Sequence, residues 1–271
     1  MASFNKFQEL LAKYQAFKND MSIKEIPCPL CMKLKSYEEL TDEHIIPKSV
    51  GGKIITLACA ECNNTLGSNV DSHLKGKSQA KKFWKGNGEE RGEIEVNGEK
   101  FRVTLQKKGG WQFMVPEKPN DPRKILTSVF PLDGEMKVKI RHKYSRNGWK
   151  RAIIKAAYLS AFEQKGYDYL HLPINEYIRK VIKDNVLGNS WTYMAYDTNG
   201  FSGSGSIIGD FLFEANTYSI IILGEDTDSD KLLSFLPSSE MPIYELEKFL
   251  DFLKSECGED GKMQLTFNTN V

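Results

Sequence analysis

The spacing of hydrophobic residues predicts helices in several parts of the chain. Outside the cysteine-containing segment described below, apolar residues recur every three or four positions in residues 3–19, 147–165, 174–185 and 241–256. Ser3 is a suitable N-cap for the first of these helices, and Gly166 ends the second. Pro242 lies in the first turn of the last helix, where a missing N–H costs nothing.

Alternating apolar and polar residues predict strands in residues 92–116, 134–142 and 191–223. The pair Asn97-Gly98 is a strong signal for a two-residue hairpin turn, and Gly109-Gly110 marks a second turn. Residues 92–116 are therefore predicted as a β-meander. Because strands and helices follow one another without a regular strand–helix–strand order, the predicted fold class is α+β.

Composition and charge refine this interpretation. A chain of 271 residues with 40% hydrophobic and 11% aromatic residues is typical of a folded protein. The longest apolar run, residues 218–224, is too short to span a bilayer, and the first residues lack the pattern of a signal peptide. We therefore expect a soluble, cytoplasmic protein that does not contact a membrane.

A lysine-rich segment, residues 75–92, is interpreted as a connector between two domains. The predicted domains are residues 1–86 and residues 87–271. Residues 137–155 carry eight Lys or Arg and no acid, whereas residues 201–271 carry 13 acids and four lysines. The basic stretch favours binding to nucleic-acid phosphates, and the acidic third favours a protein partner or a second copy of the chain.

Four of the five cysteines form two pairs with two residues between their members: Cys28 and Cys31, then Cys59 and Cys62. Two such pairs supply the four thiolates of a tetrahedral, structural Zn²⁺ site. Cys257 stands apart and is interpreted as a packing residue or a free thiol.

The segment between the cysteine pairs carries the candidate chemistry. Strand alternation places Thr41, Glu43 and Ile45 on one face, and Asp42, His44 and Ile46 on the other. A second short strand precedes Cys59, and a helix is predicted to begin near Asn63. Strand, loop, strand and helix, held at their ends by zinc, make a ββα unit.

Four motifs, taken in their order along the chain, resemble the zinc-containing branch of the HNH endonucleases, the ββα-metal nucleases. They are the pair Cys28–Cys31, the sequence Asp42-Glu43-His44-Ile-Ile-Pro, a Gly-Gly pair and Cys-x2-Cys-Asn. The resemblance covers residues 26–74 and implies phosphodiester hydrolysis. It implies that His44 is the general base, and that Glu43 and Asn63 are ligands of a catalytic Mg²⁺ or Mn²⁺. These roles agree with the chemistry of an imidazole base and of a hard cation held by oxygen atoms.

Two details leave alternatives open. Strand alternation separates Glu43 from His44, so Asp42 is a second candidate for the catalytic cation. The family often has an asparagine five residues before the third cysteine, where this chain has Ile54. The neighbouring Thr56 is a candidate for supporting the base through its hydroxyl.

Double-stranded DNA is the predicted substrate, and RNA is the alternative. The candidate phosphate-binding residues are His73, Lys139, Arg141, Arg146, Lys150 and Arg151. By analogy with nucleases that carry additional domains, a role in restriction or phage defence is the biological expectation. A non-catalytic zinc module that binds nucleic acid or a protein partner is the competing function.

Overall fold

The computed structural model describes residues 2–50, 52–96, 98–109, 111–117, 136–184, 192–196, 206–225, 231–256 and 262–264. Gly51, the turn residues Asn97 and Gly110, and Cys257 lie outside these ranges. The chain divides into two compact units, one formed by residues 1–71 with 146–271 and the other by residues 72–145.

The N-terminal part of the first unit consists of short elements that surround one hairpin. They are α1 (Phe4–Lys18), β1 (Ile26–Pro27), β2 (Leu34–Lys35), β3 (Leu40–His44), β4 (Ile55–Cys59) and α2 (Ala60–Leu66), which continues into one π-helical turn (Gly67–Asp71). The Ser3 side chain accepts a hydrogen bond from the Lys6 N–H at 3.4 Å, so the predicted N-cap of the first helix is confirmed. The hairpin β3–β4 followed by α2 is the predicted ββα unit.

The C-terminal part of the first unit contains a five-stranded sheet and four helices. The helices are α4 (Arg146–Lys165), α5 (Tyr167–Leu170), α6 (Ile174–Asp184) and α7 (Ile243–Glu256). The strands are β9 (Thr192–Tyr196), β10 (Ser206–Phe213), β11 (Asn216–Glu225), β12 (Lys231–Pro237) and β13 (Lys262–Gln264). Their order is β10–β11–β12–β9–β13, and all neighbours are antiparallel except β13, which runs parallel to β9.

Helix α4 is the centre of the first unit. Every residue from Arg151 to Phe162 is buried, because α4 packs against the five-stranded sheet, α6 and the π-helical turn. The sequence predicts an amphipathic helix here, but the structure buries all of its faces over these residues. As predicted, Gly166 follows the helix in a left-handed conformation, with φ of 75°.

In the residues that the structure describes, the second unit consists of one helix and one antiparallel sheet. Its elements are α3 (Ser72–Trp84), β5 (Gly88–Val96), β6 (Glu99–Lys108), β7 (Trp111–Pro116) and β8 (Met136–Arg141), with strand order β7–β6–β5–β8. The predicted β-meander is confirmed. Gly98 and Gly109 have positive φ in its two turns, which explains why glycine occupies them. Ile94, Phe101 and Val103 form the core of the sheet.

The mixture of helices with mainly antiparallel strands confirms the α+β class. Residues 75–84 lie in helix α3, so most of the lysine-rich segment is helical rather than an irregular connector. The boundary predicted at residue 86 falls inside the second unit, and the division into a nuclease domain and a regulatory domain stays a prediction. None of the helices in the described ranges has the length and apolar character needed to cross a membrane.

Candidate functional site

Four cysteines form a metal-binding cluster beside the hairpin. Their sulfur atoms all lie within 4.8 Å of one another, and the Sγ atoms of Cys31 and Cys59 are 3.9 Å apart. A tetrahedral Zn²⁺ with bonds of about 2.3 Å places its sulfur ligands about 3.8 Å from one another. The cluster of Cys28, Cys31, Cys59 and Cys62 therefore has the donor atoms and the spacing of a structural zinc site.

The thiols of this cluster influence one another. Hydrogen bonding with the Cys28 thiol lowers the pKa of Cys31 to about 5 and that of Cys59 to about 6. The same contacts raise the pKa of Cys28, which also accepts a hydrogen bond from the Cys59 N–H at 3.3 Å. Thiolates are the form of cysteine that binds zinc, so the lowered pKa values of Cys31 and Cys59 favour metal binding by the cluster.

Helix α4 anchors the first cysteine pair. The Tyr158 hydroxyl donates a hydrogen bond to the Pro29 carbonyl at 2.9 Å, and the Arg179 guanidinium donates to the same hydroxyl at 2.9 Å. Tyr158 is fully buried, and burial raises the pKa of its phenol to about 12. The C-terminal part of the chain is therefore bonded directly to the turn that holds Cys28 and Cys31.

The hairpin separates the cysteine cluster from His44. β3 and β4 pair from Leu40 opposite Cys59 to His44 opposite Ile55. His44 thus lies about 14 Å along the strand from the cluster, at about 3.4 Å per residue, and its side chain is half-buried. Zinc at one end of the hairpin can fix the strand that carries His44 at the other end.

Asn63 joins helix α2 to strand β3. Its side-chain amide donates hydrogen bonds to Thr41 Oγ1 at 3.0 Å and to the Asp42 carbonyl at 2.9 Å. Both donor hydrogens are used in this way, which leaves only the amide oxygen for a cation. Asn63 therefore acts as a clamp on the strand that carries Asp42, Glu43 and His44.

Asp42 is bonded to the start of helix α1. Its Oδ1 accepts a hydrogen bond from the Ser3 N–H at 2.7 Å. This contact gives Asp42 a structural role on the face that it shares with His44.

Glu43 lies on the opposite face of the strand, in a buried cluster of charges. Lys155 of helix α4 donates hydrogen bonds to Glu43 Oε1 at 2.7 Å and to Asp71 Oδ2 at 2.5 Å. The side chains of Lys155 and Glu43 are 1% and 2% exposed, and that of Asp71 is 15% exposed. One lysine therefore connects strand β3, the π-helical turn and the central helix.

Burial and charge act in opposite directions in this cluster. Burial raises the pKa of Glu43 and of Asp71 above the usual carboxyl range, although the Lys155 ammonium opposes the shift. The pKa of Lys155 is raised above its usual value. Burial acts to lower this pKa, but the Asp71 and Glu43 carboxylates together have the larger effect. Lys155 is therefore a buried cation that two acids share.

Comparison with known proteins agrees with this geometry. Residues 28–78 match the family model described as HNH endonuclease. The chain contains an HNH domain. No curated protein and no solved structure showed significant similarity to the chain. The matched residues include all four cysteines, the hairpin and helix α2 of the HNH domain.

The catalytic cation implied by the HNH resemblance does not fit the present arrangement of its predicted ligands. Glu43 Oε1 is bonded to Lys155, while Glu43 Oε2 is buried without a hydrogen-bond partner. A catalytic cation needs open positions for phosphate and water, and neither oxygen of Glu43 is open to solvent. Within the described residues, the cysteine cluster is the one group of three or more Cys, His, Asp or Glu side chains that converge as metal ligands.

The hydroxyl of Thr56 does not orient His44 in this HNH domain. Thr56 lies opposite Glu43 in the hairpin, is fully buried, and its Oγ1 has no hydrogen-bond partner. The unpartnered oxygens of Thr56 and Glu43 therefore belong to neighbouring residues on one face of the hairpin. Directly opposite residues in an antiparallel pair have Cβ atoms about 4.5–5.5 Å apart.

The predicted nucleic-acid-binding residues are divided between the two units. Arg146 is exposed and Lys150 is half-buried in the first turns of α4. Arg151 is buried and donates hydrogen bonds of 2.6–3.0 Å to the carbonyls of Ile182 and Lys183 at the end of α6. Its guanidinium satisfies the last carbonyls of a helix, which favours a structural role over the predicted phosphate contact.

The remaining candidates lie in the second unit. Lys139 is exposed on β8 opposite Glu93 of β5, and Arg141 approaches the same glutamate at 3.4 Å. Neighbouring acids therefore reduce the positive charge of this strand. His73 accepts a hydrogen bond from the Ser145 N–H at 3.1 Å through Nδ1.

Sequence reasoning missed two residues of the Glu43 cluster. The sequence assigns no role to Asp71, and Lys155 is only the last residue of the basic stretch 137–155. A signal was present, because Lys155 stands between Ile153, Ile154, Ala156 and Ala157 in a segment that has no other charge after Arg151. A lysine in such a segment is buried only when it has acidic partners, and spacing alone does not identify them.

Proposed function

We propose that the chain is an HNH endonuclease that hydrolyses phosphodiester bonds in double-stranded DNA. The observation that carries the proposal is the position of His44, half-buried at the end of a hairpin that Asn63 clamps to the helix. The four-cysteine cluster at the other end supports the proposal, since it stabilises the same hairpin.

His44 supplies the base in the proposed reaction. Its imidazole accepts a proton from a water molecule as that water attacks the phosphorus atom and the bond to the leaving oxygen breaks. Imidazole side chains exchange protons near neutral pH, which suits this step. Nucleases of this type also use a divalent cation, Mg²⁺ or Mn²⁺, which neutralises charge on the phosphate. Glu43 is the ligand that the family resemblance implies for this cation, and in this structure its Oε1 is bonded to Lys155.

Phosphate binding is proposed for the start of helix α4. Arg146 and Lys150 lie one turn apart there, and no acid occurs between residues 137 and 155. The acidic residues of the C-terminal third are unsuited to DNA and are proposed to face a protein partner or a second copy of the chain. By analogy alone, this combination suits a restriction or phage-defence role.

Plasmid cleavage tests the proposed activity. Purified wild-type protein, His44→Ala and the control His171→Ala are incubated with supercoiled plasmid and Mg²⁺, Mn²⁺ or EDTA. We expect wild type and His171→Ala to cut the plasmid with a metal ion and His44→Ala to lose at least about a hundredfold in rate. Equal cleavage by wild type and His44→Ala would exclude His44 as the base.

A non-catalytic zinc module is the second candidate function, and the enclosure of Glu43 by Lys155 favours it. The same experiment separates the two. Binding of DNA by wild type and His44→Ala with equal affinity, with no cleavage by either under any metal condition, would support the binding module. A parallel assay with a single-stranded and a duplex RNA identifies RNA as the substrate if only RNA is cut.

A further inference from the structure

The Glu43–Lys155–Asp71 cluster holds a cation between two carboxylates. Lys155 Nζ lies 2.7 Å from Glu43 Oε1 and 2.5 Å from Asp71 Oδ2. The two acids come from different elements, strand β3 and the π-helical turn, and both are bonded to this ammonium group.

The charges of the cluster do not balance. Two carboxylates face one ammonium, and Lys155 and Glu43 are almost completely buried. An isolated ion pair would need only one acid, whereas two acids match the charge of a divalent cation. The cluster therefore contains one more acidic group than a simple ion pair needs.

Two buried oxygen atoms of the hairpin have no hydrogen-bond partner. Glu43 Oε2 and Thr56 Oγ1 are both enclosed and make no hydrogen bond, and their residues face each other across the hairpin. Carboxylate and hydroxyl oxygens are the ligand types that Mg²⁺ and Mn²⁺ prefer. The described residues contain eight buried side-chain atoms without a hydrogen-bond partner, and Glu43 Oε2 is the one that belongs to a carboxyl group bonded to Lys155.

We propose that Glu43 and Asp71 form a divalent-cation site that Lys155 occupies. Lys155 is then an internal competitor for the cation, contributed by a helix outside the segment that matches the HNH family. The link to catalysis rests on the proposed nuclease function, but the metal site itself does not. Withdrawal of the Lys155 ammonium would free both carboxylates for Mg²⁺ or Mn²⁺.

Mn²⁺ binding without nucleic acid tests this inference. The full chain is first loaded with Zn²⁺, because the thiolate cluster prefers zinc to manganese. Free Mn²⁺ is then titrated by electron paramagnetic resonance for wild type, Lys155→Met and the double variant Lys155→Met with Asp71→Asn. Methionine has a similar length to lysine and carries no charge.

We expect Lys155→Met to bind one Mn²⁺ at least about tenfold more tightly than wild type, and the added Asp71→Asn change to remove most of this gain. Unchanged or weaker Mn²⁺ binding by folded Lys155→Met would overturn the proposal, as would a gain that Asp71→Asn leaves intact. If the variants show this pattern of Mn²⁺ binding but the wild-type protein cleaves no nucleic acid, the proposed nuclease activity is excluded and the metal site is retained.

A folding assay covers the case in which Lys155→Met is unstable. Two buried carboxylates without a cation repel each other, so the variant is refolded with and without Mn²⁺ and followed by circular dichroism. Recovery of the folded state by Mn²⁺, in Lys155→Met but not in the double variant, supports the site. Failure of Mn²⁺ to restore folding overturns it.

Discussion

Lys155 donates a hydrogen bond to Glu43 across 112 residues of sequence, with 2.7 Å between Nζ and Oε1. The two residues come from the central helix α4 and from the strand that carries His44. The hairpin of the HNH domain is thus completed by a helix from the C-terminal part of the chain, and its stability should depend on that helix.

Loss of Lys155 should strongly destabilise the protein when no Mg²⁺ or Mn²⁺ is present. Removing one partner of a buried ion pair leaves an uncompensated charge, which costs about 3–5 kcal/mol. We expect Lys155→Met to lower the free energy of unfolding by this amount in urea denaturation of the zinc-loaded protein without added Mg²⁺ or Mn²⁺. Lys13→Met is the matched control, because Lys13 forms an exposed pair with Glu9 and its loss should have little effect. Equal effects of the two variants would contradict the buried contact.

The cysteine cluster should bind one zinc ion per chain. Cys62→Ser removes one of four ligands, so we expect the zinc content to fall well below one per chain and the melting temperature to drop. Atomic emission spectroscopy measures the metal, and circular dichroism measures the melting. Cys257→Ser changes a cysteine outside the two pairs and should keep both values. Zinc loss in both variants would contradict the four-cysteine site.

Asn63 should be needed for both stability and cleavage. Asn63→Ala removes the hydrogen bonds to Thr41 and to the Asp42 carbonyl, at a cost of about 1–3 kcal/mol in stability. We expect plasmid cleavage to fall at least tenfold, because the strand that carries His44 is no longer held. Asn64→Ala, at the exposed neighbouring position, is the control. A full rate in Asn63→Ala would exclude the clamp from catalysis.

Arg146 and Lys150 should bind phosphates, whereas Arg151 should not. Reversal of both Arg146 and Lys150 to Glu should weaken binding to a DNA duplex and reduce the slope of log affinity against log salt by about one per lost contact. Arg151→Met removes hydrogen bonds to the end of α6, so it should lower the melting temperature and leave the salt slope unchanged. Fluorescence anisotropy at several salt concentrations separates these outcomes. An unchanged slope after the double reversal would remove α4 from the DNA interface.

His171 should make the protein less stable in mild acid. Partial desolvation, together with the charges of Lys18 and Arg179, lowers the pKa of His171 below its usual value, and the effect on stability is small because the side chain is exposed. Between the folded and the unfolded pKa the unfolded state binds more protons, so stability is complete above about pH 6.5 and falls as the pH drops further. We expect His171→Gln to lose less stability than wild type between pH 7.5 and pH 5.5 in urea denaturation. An identical pH dependence would contradict the shift.

Much of the candidate site could be predicted from the sequence, because its signals are local. The two cysteine pairs, the acid–His pair and Asn63 are recognised by spacings of a few residues, and the structure gathers the cysteines into one cluster. The turns at Gly98 and Gly109 were predictable for the same reason, since glycine tolerates positive φ. The roles of His44, Glu43 and Asn63 stay predictions.

The sequence by itself determined the α+β class, the ββα hairpin and the zinc-type cysteine cluster, because hydrophobic periodicity, turn residues and ligand spacing act over short stretches of chain. Only the tertiary structure decided that Lys155 reaches Glu43 and Asp71, and that Arg151 caps α6 instead of facing solvent. These contacts join residues 31–112 positions apart, and burial of helix α4 makes them necessary. A charged side chain in a buried helix must find a partner, and which partner it finds depends on how distant segments pack.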